Sequence, residues 1–201
     1  MMSDDQAFRS ALLVFMVIMF PIGVYHRLQS RVAGESLDRR QEGLFILATL
    51  RPLGLITVAG VIAYVINPAS MAWSSMPLPA GLRWTGVGLC ACGGALVFWT
   101  FRRLGKNLTD TVVTRREHTL VMHGPYHWVR HPFYDSAALL TLGTSLAAAN
   151  GFLFVTGALA VGLLVLRTRT EEEQLLARFG GDYRAYVERT GRFLPRIRAN
   201  R

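Results

Sequence analysis

Four of the chain's five histidines, His118, His123, His127 and His131, fall within 14 residues, and the last opens a block that reads His131-Pro132-Phe133-Tyr134. Spacings of 5, 4 and 4 would stack imidazoles on one face of a helix, as a metal centre requires. Gly124-Pro125 breaks any helix through the cluster, however, so no metal site is expected. The other reading is an ordered turn that presents histidine, tyrosine and arginine side chains at the start of a helix. Pro132 suits the first helical position, where its missing N–H does no harm, and Asp135 follows close to the positive end of that helix. A second constellation, Arg167-Thr168-Arg169-Thr170-Glu171-Glu172-Glu173, lies further along. Arg167 and Glu171 are four apart and share a helical face, which an ordinary ion pair would explain. Three consecutive acids beside a membrane are costly without cations, which favours a charged ligand.

Membrane helices must position these groups. The 201 residues are 51% hydrophobic and 17% charged, against about a quarter charged in an ordinary soluble domain. The apolar residues cluster around 11–25, 53–66, 86–101 and 133–166, the last tract long enough to fold back as two passes. This pattern excludes a soluble globule, a disordered chain and a disulfide-stapled secreted module. The expected fold is an all-α integral membrane protein, a single domain over residues 1–201, with about five transmembrane helices at 8–25, 43–66, 82–101, 133–148 and 152–166. The last two form a C-terminal helical hairpin about Asn150-Gly151. A polar loop over 102–132 precedes the hairpin. A cytoplasmic amphipathic tail helix over 167–201 follows it, with Leu175, Leu176, Phe179, Tyr183 and Tyr186 recurring among charges. The third span is rich in small residues, which lets a neighbouring helix approach closely. Cys90 and Cys92 read as packing residues.

The net charge is +9, and 21 of the 22 basic residues are arginine. Four lie in 26–42, six in 102–130 and nine in 167–201, at the flanks of the apolar tracts. By the positive-inside rule these segments face the cytoplasm and 67–80 and 147–151 lie outside, which sets the amino end outside and the carboxyl end inside. This placement points to a lipid bilayer and argues against nucleic acid. Asp4 and Asp5 precede the first apolar tract where a signal peptide would carry basic residues, and Arg27 and Arg31 follow, so the tract is expected to be retained as a span. The hairpin returns Arg167 and Glu171 to the membrane face that carries His131 and Tyr134, and both constellations can then line one pocket.

In this order the motifs resemble the isoprenylcysteine carboxyl methyltransferase (ICMT) family of integral membrane methyltransferases, with its bacterial members. The resemblance covers roughly residues 42–196 and is strongest from His118 onward. It is carried by His118-Thr119-Leu120-Val121, Gly124-Pro125-Tyr126, Arg130-His131-Pro132-Phe133-Tyr134, Arg167 with Glu171-Glu172, Phe179-Gly180, and Tyr183 with Tyr186. The small residue two after the tyrosine of the His-Pro block, usually glycine in such proteins, is Ser136 here. The resemblance implies S-adenosylmethionine as cofactor, the 102–132 loop as its binding loop, and His118, Thr119, Leu120, Val121, Tyr126, His131, Pro132, Phe133, Tyr134 and Glu171 as its contacts. It implies Arg167 as the substrate residue. It also implies a lipophilic or small methyl acceptor, such as the carboxylate of an isoprenylcysteine-like substrate, and an active site facing the cytoplasm.

Methyl transfer from a sulfonium is an in-line displacement that needs positioning and exclusion of water more than acid or base help. S-Adenosylmethionine carries an ammonium and a carboxylate, which suit a pocket holding Glu171 beside arginine and histidine. Tyr126 or Tyr134 can stack on adenine or face the sulfonium. An NADPH-dependent membrane reductase of the sterol type is a rival, but such proteins are about twice as long and carry more spans. A non-enzymatic membrane scaffold has no reason to gather these side chains at one mouth.

Overall fold

The computed structural model describes residues 4–32, 44–104 and 120–196. Over these residues the chain is helical, with α1 at Asp4–Val32, α2 at Leu44–Ile66, α3 at Ala80–Leu104, α4 at Pro132–Ala148 and α5 at Gly151–Arg189. Short 3-10 turns occupy Pro68–Ser74 and Gly124–His127. Neither Pro21 nor Pro52 ends its helix, since each sits inside a long apolar one.

Four helices, α1, α2, α3 and α5, are long and apolar enough to cross a membrane. Helix α4 has 17 residues, about 26 Å by helical rise and shorter than a hydrocarbon core of about 30 Å. The five expected spans thus become, among the described residues, four candidate spans and one shorter apolar helix packed among them. Val17, Ile18 and Phe20 of α1, Leu55 of α2 and Leu159 and Leu166 of α5 are more than half exposed. A continuous apolar surface of this kind suits lipid rather than water.

The expected break between the last span and a separate tail helix is absent. Helix α5 continues unbroken from its apolar tract through Arg167 to Phe179, because nothing interrupts it before Gly180. Its one irregularity is Gly180, with φ 51° and ψ −116°, where the axis kinks. Arg167 and Glu171 are therefore carried on the same rigid rod that crosses the apolar layer.

Helices α3 and α4 form the most extensive helix pair, and glycine makes it possible. A β-carbon at Gly86 would lie 2.6 Å from Ala147 N and 2.7 Å from Gly143 O. One at Gly143 would lie 2.7 Å from Cys90 N and 2.8 Å from its Sγ. The backbones touch because neither position has a side chain. Cys90 belongs to a buried cluster with Leu12, Tyr64, Met71 and Leu153. Asn150 then turns the chain into α5: its side-chain oxygen accepts from Leu153 N at 3.1 Å and its amide donates to Met71 O at 3.1 Å.

At the same end, two arginines that stand apart from the basic segments tie the helices together. Buried Arg83 donates to Ala147 O at 3.0 Å and to the Tyr64 hydroxyl at 3.1 Å, and pairs with Asp5. Arg9 donates to the last carbonyls of α2, at Val65 and Ile66, where a cation also complements the helix dipole. The other end carries the site.

Candidate functional site

Gly124 turns the chain with φ +67°. It lies so close to α3 that a β-carbon there would meet Arg103 Cγ at 2.7 Å. After the 3-10 turn the backbone runs extended beside residues 190–192. Arg130 N donates to Gly191 O at 2.9 Å, Gly191 N to Trp128 O at 3.2 Å and His131 N to Arg192 O at 3.2 Å. Pro132 opens α4 with His131 at the N-cap, but the imidazole makes no capping bond. It points to α5 instead.

There it meets two adjacent carboxylates. His131 Nδ1 lies 3.6 Å from Glu171 Oε2, and Nε2 lies 3.2 Å from Glu172 Oε1. Glu171 Oε1 accepts from the Tyr134 hydroxyl at 2.6 Å and faces Arg167 Nε at 3.2 Å. The imidazole stacks on the Tyr134 ring, with centroids 5.3 Å apart and an interplanar angle of 14°. Phe193 from the C-terminal segment covers it from another side, at 5.8 Å between centroids.

Glu172 is held by cations. Arg130 Nε donates to it at 2.9 Å, Arg192 Nε donates at 3.1 Å, and Arg192 Nη2 closes a second bond. Burial alone would raise its pKa, but the hydrogen bonds to His131, Arg192 and Arg130 outweigh it and hold the carboxyl well below the usual range. Withdrawal from water, with Tyr186 and Glu171 nearby, raises the Tyr126 phenol far above its ordinary value.

Of the residues expected to bind the cofactor, His131 and Tyr134 contact Glu171 directly, and Tyr126 lies within electrostatic range of it. The main-chain oxygen of Tyr126 is held by the Tyr186 hydroxyl at 2.7 Å. Pro132 is fully buried and starts the helix. Phe133 is not brought to the carboxylates; its ring stacks on Phe101 of α3, 5.8 Å between centroids. Leu120 and Val121 are half-buried where the described part of the loop begins, and His118 and Thr119 lie outside the described residues. His123 and His127 are exposed, so the histidine cluster separates and only His131 joins the carboxylates.

Sequence reasoning placed neither Arg130 nor Glu172 in the site, and it gave Arg192 no role at all. Arg130 and Glu172 stand inside the quoted motifs, which was the available signal. Arg192 reaches Glu172 because the C-terminal segment folds back along the loop, which no local spacing reveals.

This residue set fits S-adenosylmethionine. Glu171 is only partly covered by its partners and suits an ammonium, and Tyr126 and Tyr134 offer aromatic faces. Tyr183 is 3% exposed, and among the described residues its hydroxyl has no hydrogen-bond partner. Burial and then the Glu172 carboxylate raise its pKa, so it remains a hydrogen-bond donor. A buried donor without an acceptor costs about 1–3 kcal/mol, which a bound polar ligand would relieve.

Residues 86–177 match the model of the isoprenylcysteine carboxyl methyltransferase (ICMT) family. A protein-S-isoprenylcysteine O-methyltransferase of Mus musculus is 31% identical over 147 residues, 71% of this chain and 52% of the relative. A methanethiol S-methyltransferase of Mycobacterium tuberculosis is 34% identical over 36% of this chain and 29% of its own. The solved structure of the eukaryotic intramembrane Ras methyltransferase ICMT superposes with a TM-score of 0.55 at 27% identity, covering 73% of this chain and 53% of that one. The chain spans about half the length of the curated isoprenylcysteine methyltransferases it matches. The matched segment holds α4, the hairpin turn and the helix that bears Arg167, Glu171 and Glu172. In sequence, fold and site motif the chain resembles the isoprenylcysteine carboxyl methyltransferase family of integral membrane proteins.

Proposed function

We propose that the chain is an S-adenosylmethionine-dependent membrane methyltransferase whose acceptor is lipophilic or small, the carboxylate of an isoprenylcysteine-like molecule being the best fit. The observation that carries this reading is the convergence of Tyr134, His131 and Arg167 on Glu171 where α5 leaves its apolar stretch. Glu171 binds the cofactor's ammonium, and Tyr134 and His131 hold Glu171 in place. Tyr126 and Tyr134 supply the aromatic surface. The bound cofactor supplies an electrophilic methyl group on a sulfonium. A carboxylate acceptor needs no base, so the residues contribute alignment and exclusion of water.

Arg167 faces the acceptor in this reading. Its Nε pairs with Glu171 across one helical turn, and a guanidinium presents five N–H donors in a planar fork that matches a carboxylate. Replacement by lysine separates the two roles. A purely structural pair tolerates Arg167→Lys with nearly unchanged methyl transfer. A planar two-pronged clamp on an acceptor carboxylate does not, because lysine offers a point charge only. The expected result is a loss in acceptor affinity or turnover, with S-adenosylhomocysteine affinity within about twofold of wild type. An unchanged rate would remove Arg167 from the site, and a collapse of cofactor binding would place it on the cofactor side.

The orientation follows from the distribution of arginines: amino end outside, carboxyl end and site in the cytoplasm, in the inner membrane if the cell is prokaryotic. Reporter fusions at Ala72 and Arg201 should report opposite compartments; the same compartment for both would contradict it.

A further inference from the structure

Beyond the residues expected to contact the cofactor, we propose that Glu172 is a positioning residue. Its carboxylate fixes the His131 imidazole and, through Arg130 and Arg192, fastens the C-terminal segment over the cofactor site. The inference rests on the reading of the site as one for S-adenosylmethionine.

Four features support it. One oxygen of Glu172 receives Arg130 Nε at 2.9 Å, Arg192 Nε at 3.1 Å and lies 3.2 Å from His131 Nε2, so three elements meet on one atom. Arg130 adds a second layer: its Nη1 donates to Thr190 O at 2.6 Å while its backbone N donates to Gly191 O at 2.9 Å. Tyr186, on the same segment, holds the main-chain oxygen of Tyr126, and Phe193 packs on His131. The segment that supplies Tyr186, Thr190, Gly191, Arg192 and Phe193 lies beyond residues 86–177, where the family match ends, yet it touches both Tyr126 and His131.

Glu171 and Glu172 thus divide the work. Glu171 is the carboxylate offered to the ligand. Glu172 is only 14% exposed and is ringed by cations from the loop and the C-terminal segment. A carboxylate with that many charged donors is committed to protein. Neutralising it leaves Arg130 paired with main-chain carbonyls alone, releases one side of His131 and frees Arg192, which is itself 41% exposed and replaceable without a core defect.

The test is calorimetric titration of the full chain in detergent with S-adenosylhomocysteine, which reports both affinity and the fraction of competent sites. The expected result is a dissociation constant raised about tenfold by Glu172→Gln and about threefold by Arg192→Gln, with stoichiometry unchanged. Exposed Glu173 is the control, and Glu173→Gln should bind as wild type. A merely structural Glu172 would lower the number of competent sites and leave the affinity of the rest unchanged, which overturns the proposal. If Glu172→Gln does not fold, an unaltered affinity in Arg192→Gln overturns it as well. A wild-type chain that does not bind overturns the cofactor reading and this inference with it, whereas wild-type binding with unchanged variants overturns the inference alone.

Discussion

Replacing Glu171 by glutamine is expected to weaken S-adenosylhomocysteine binding by about 1–3 kcal/mol, or roughly fivefold to 150-fold, the scale of a lost charge-assisted contact. Glutamine keeps the shape of the side chain, so the effect isolates the charge. The carboxylate now accepts from Tyr134 and faces both Arg167 and His131. An amide in its place can still accept from Tyr134, but it cannot neutralise an ammonium, and its NH2 meets cations. Glu173, two residues on and exposed, carries the same charge without these partners, and Glu173→Gln should change the affinity little. Equal losses in both variants would mean that the binding site lies elsewhere.

The second large effect is on folding. Gly143→Leu is expected to destabilise the chain by about 3 kcal/mol or more, because overpacking has no flexible side chain to displace. The inserted atoms would fall on Cys90 N at 2.7 Å and Gly86 O at 2.8 Å, both backbone. Helices α3 and α4 would have to separate along the contact that brings α4 and its N-terminal His131 to the site. Gly88, on α3, provides the control, since a β-carbon there meets nothing within 4 Å. Thermal unfolding in detergent should show a markedly lowered midpoint for Gly143→Leu and a small change for Gly88→Leu. Equal stability of the two variants would show that this close approach does not hold the fold.

These two positions also show how much the sequence reveals. The small residues of the third span, Gly86 among them, could be read as a close helix contact because an apolar membrane helix has few other means of holding a neighbour, but the facing Gly143 could not be singled out. The pairing of Glu171 with Arg167 could be read from their four-residue spacing, and its meeting with His131 and Tyr134 from the hairpin that returns it to their end. What could not be read depends on distant residues. Arg192 meets Glu172 only because Gly191 and Val129 align two backbone segments 62 residues apart in number. The continuity of α5 past Arg167 was also hidden. A change from apolar to charged residues marks the edge of a membrane, but it does not end a helix built from glutamate, leucine, glutamine, alanine and arginine. Phe133 shows the reverse limit: a motif residue whose ring packs against α3 rather than against the carboxylates.

The central claim is that the residues around Glu171 bind S-adenosylmethionine. Its most direct test is the thermal stability of the detergent-solubilised wild-type chain with S-adenosylmethionine, S-adenosylhomocysteine or NADPH in excess. A ligand that binds only the folded state raises its stability by RT ln(1 + [L]/Kd), about 2.7 kcal/mol at a hundredfold excess over Kd. The account predicts a raised midpoint with either adenosyl ligand and none with NADPH. Stabilisation by NADPH alone, or by none of the three, would contradict it.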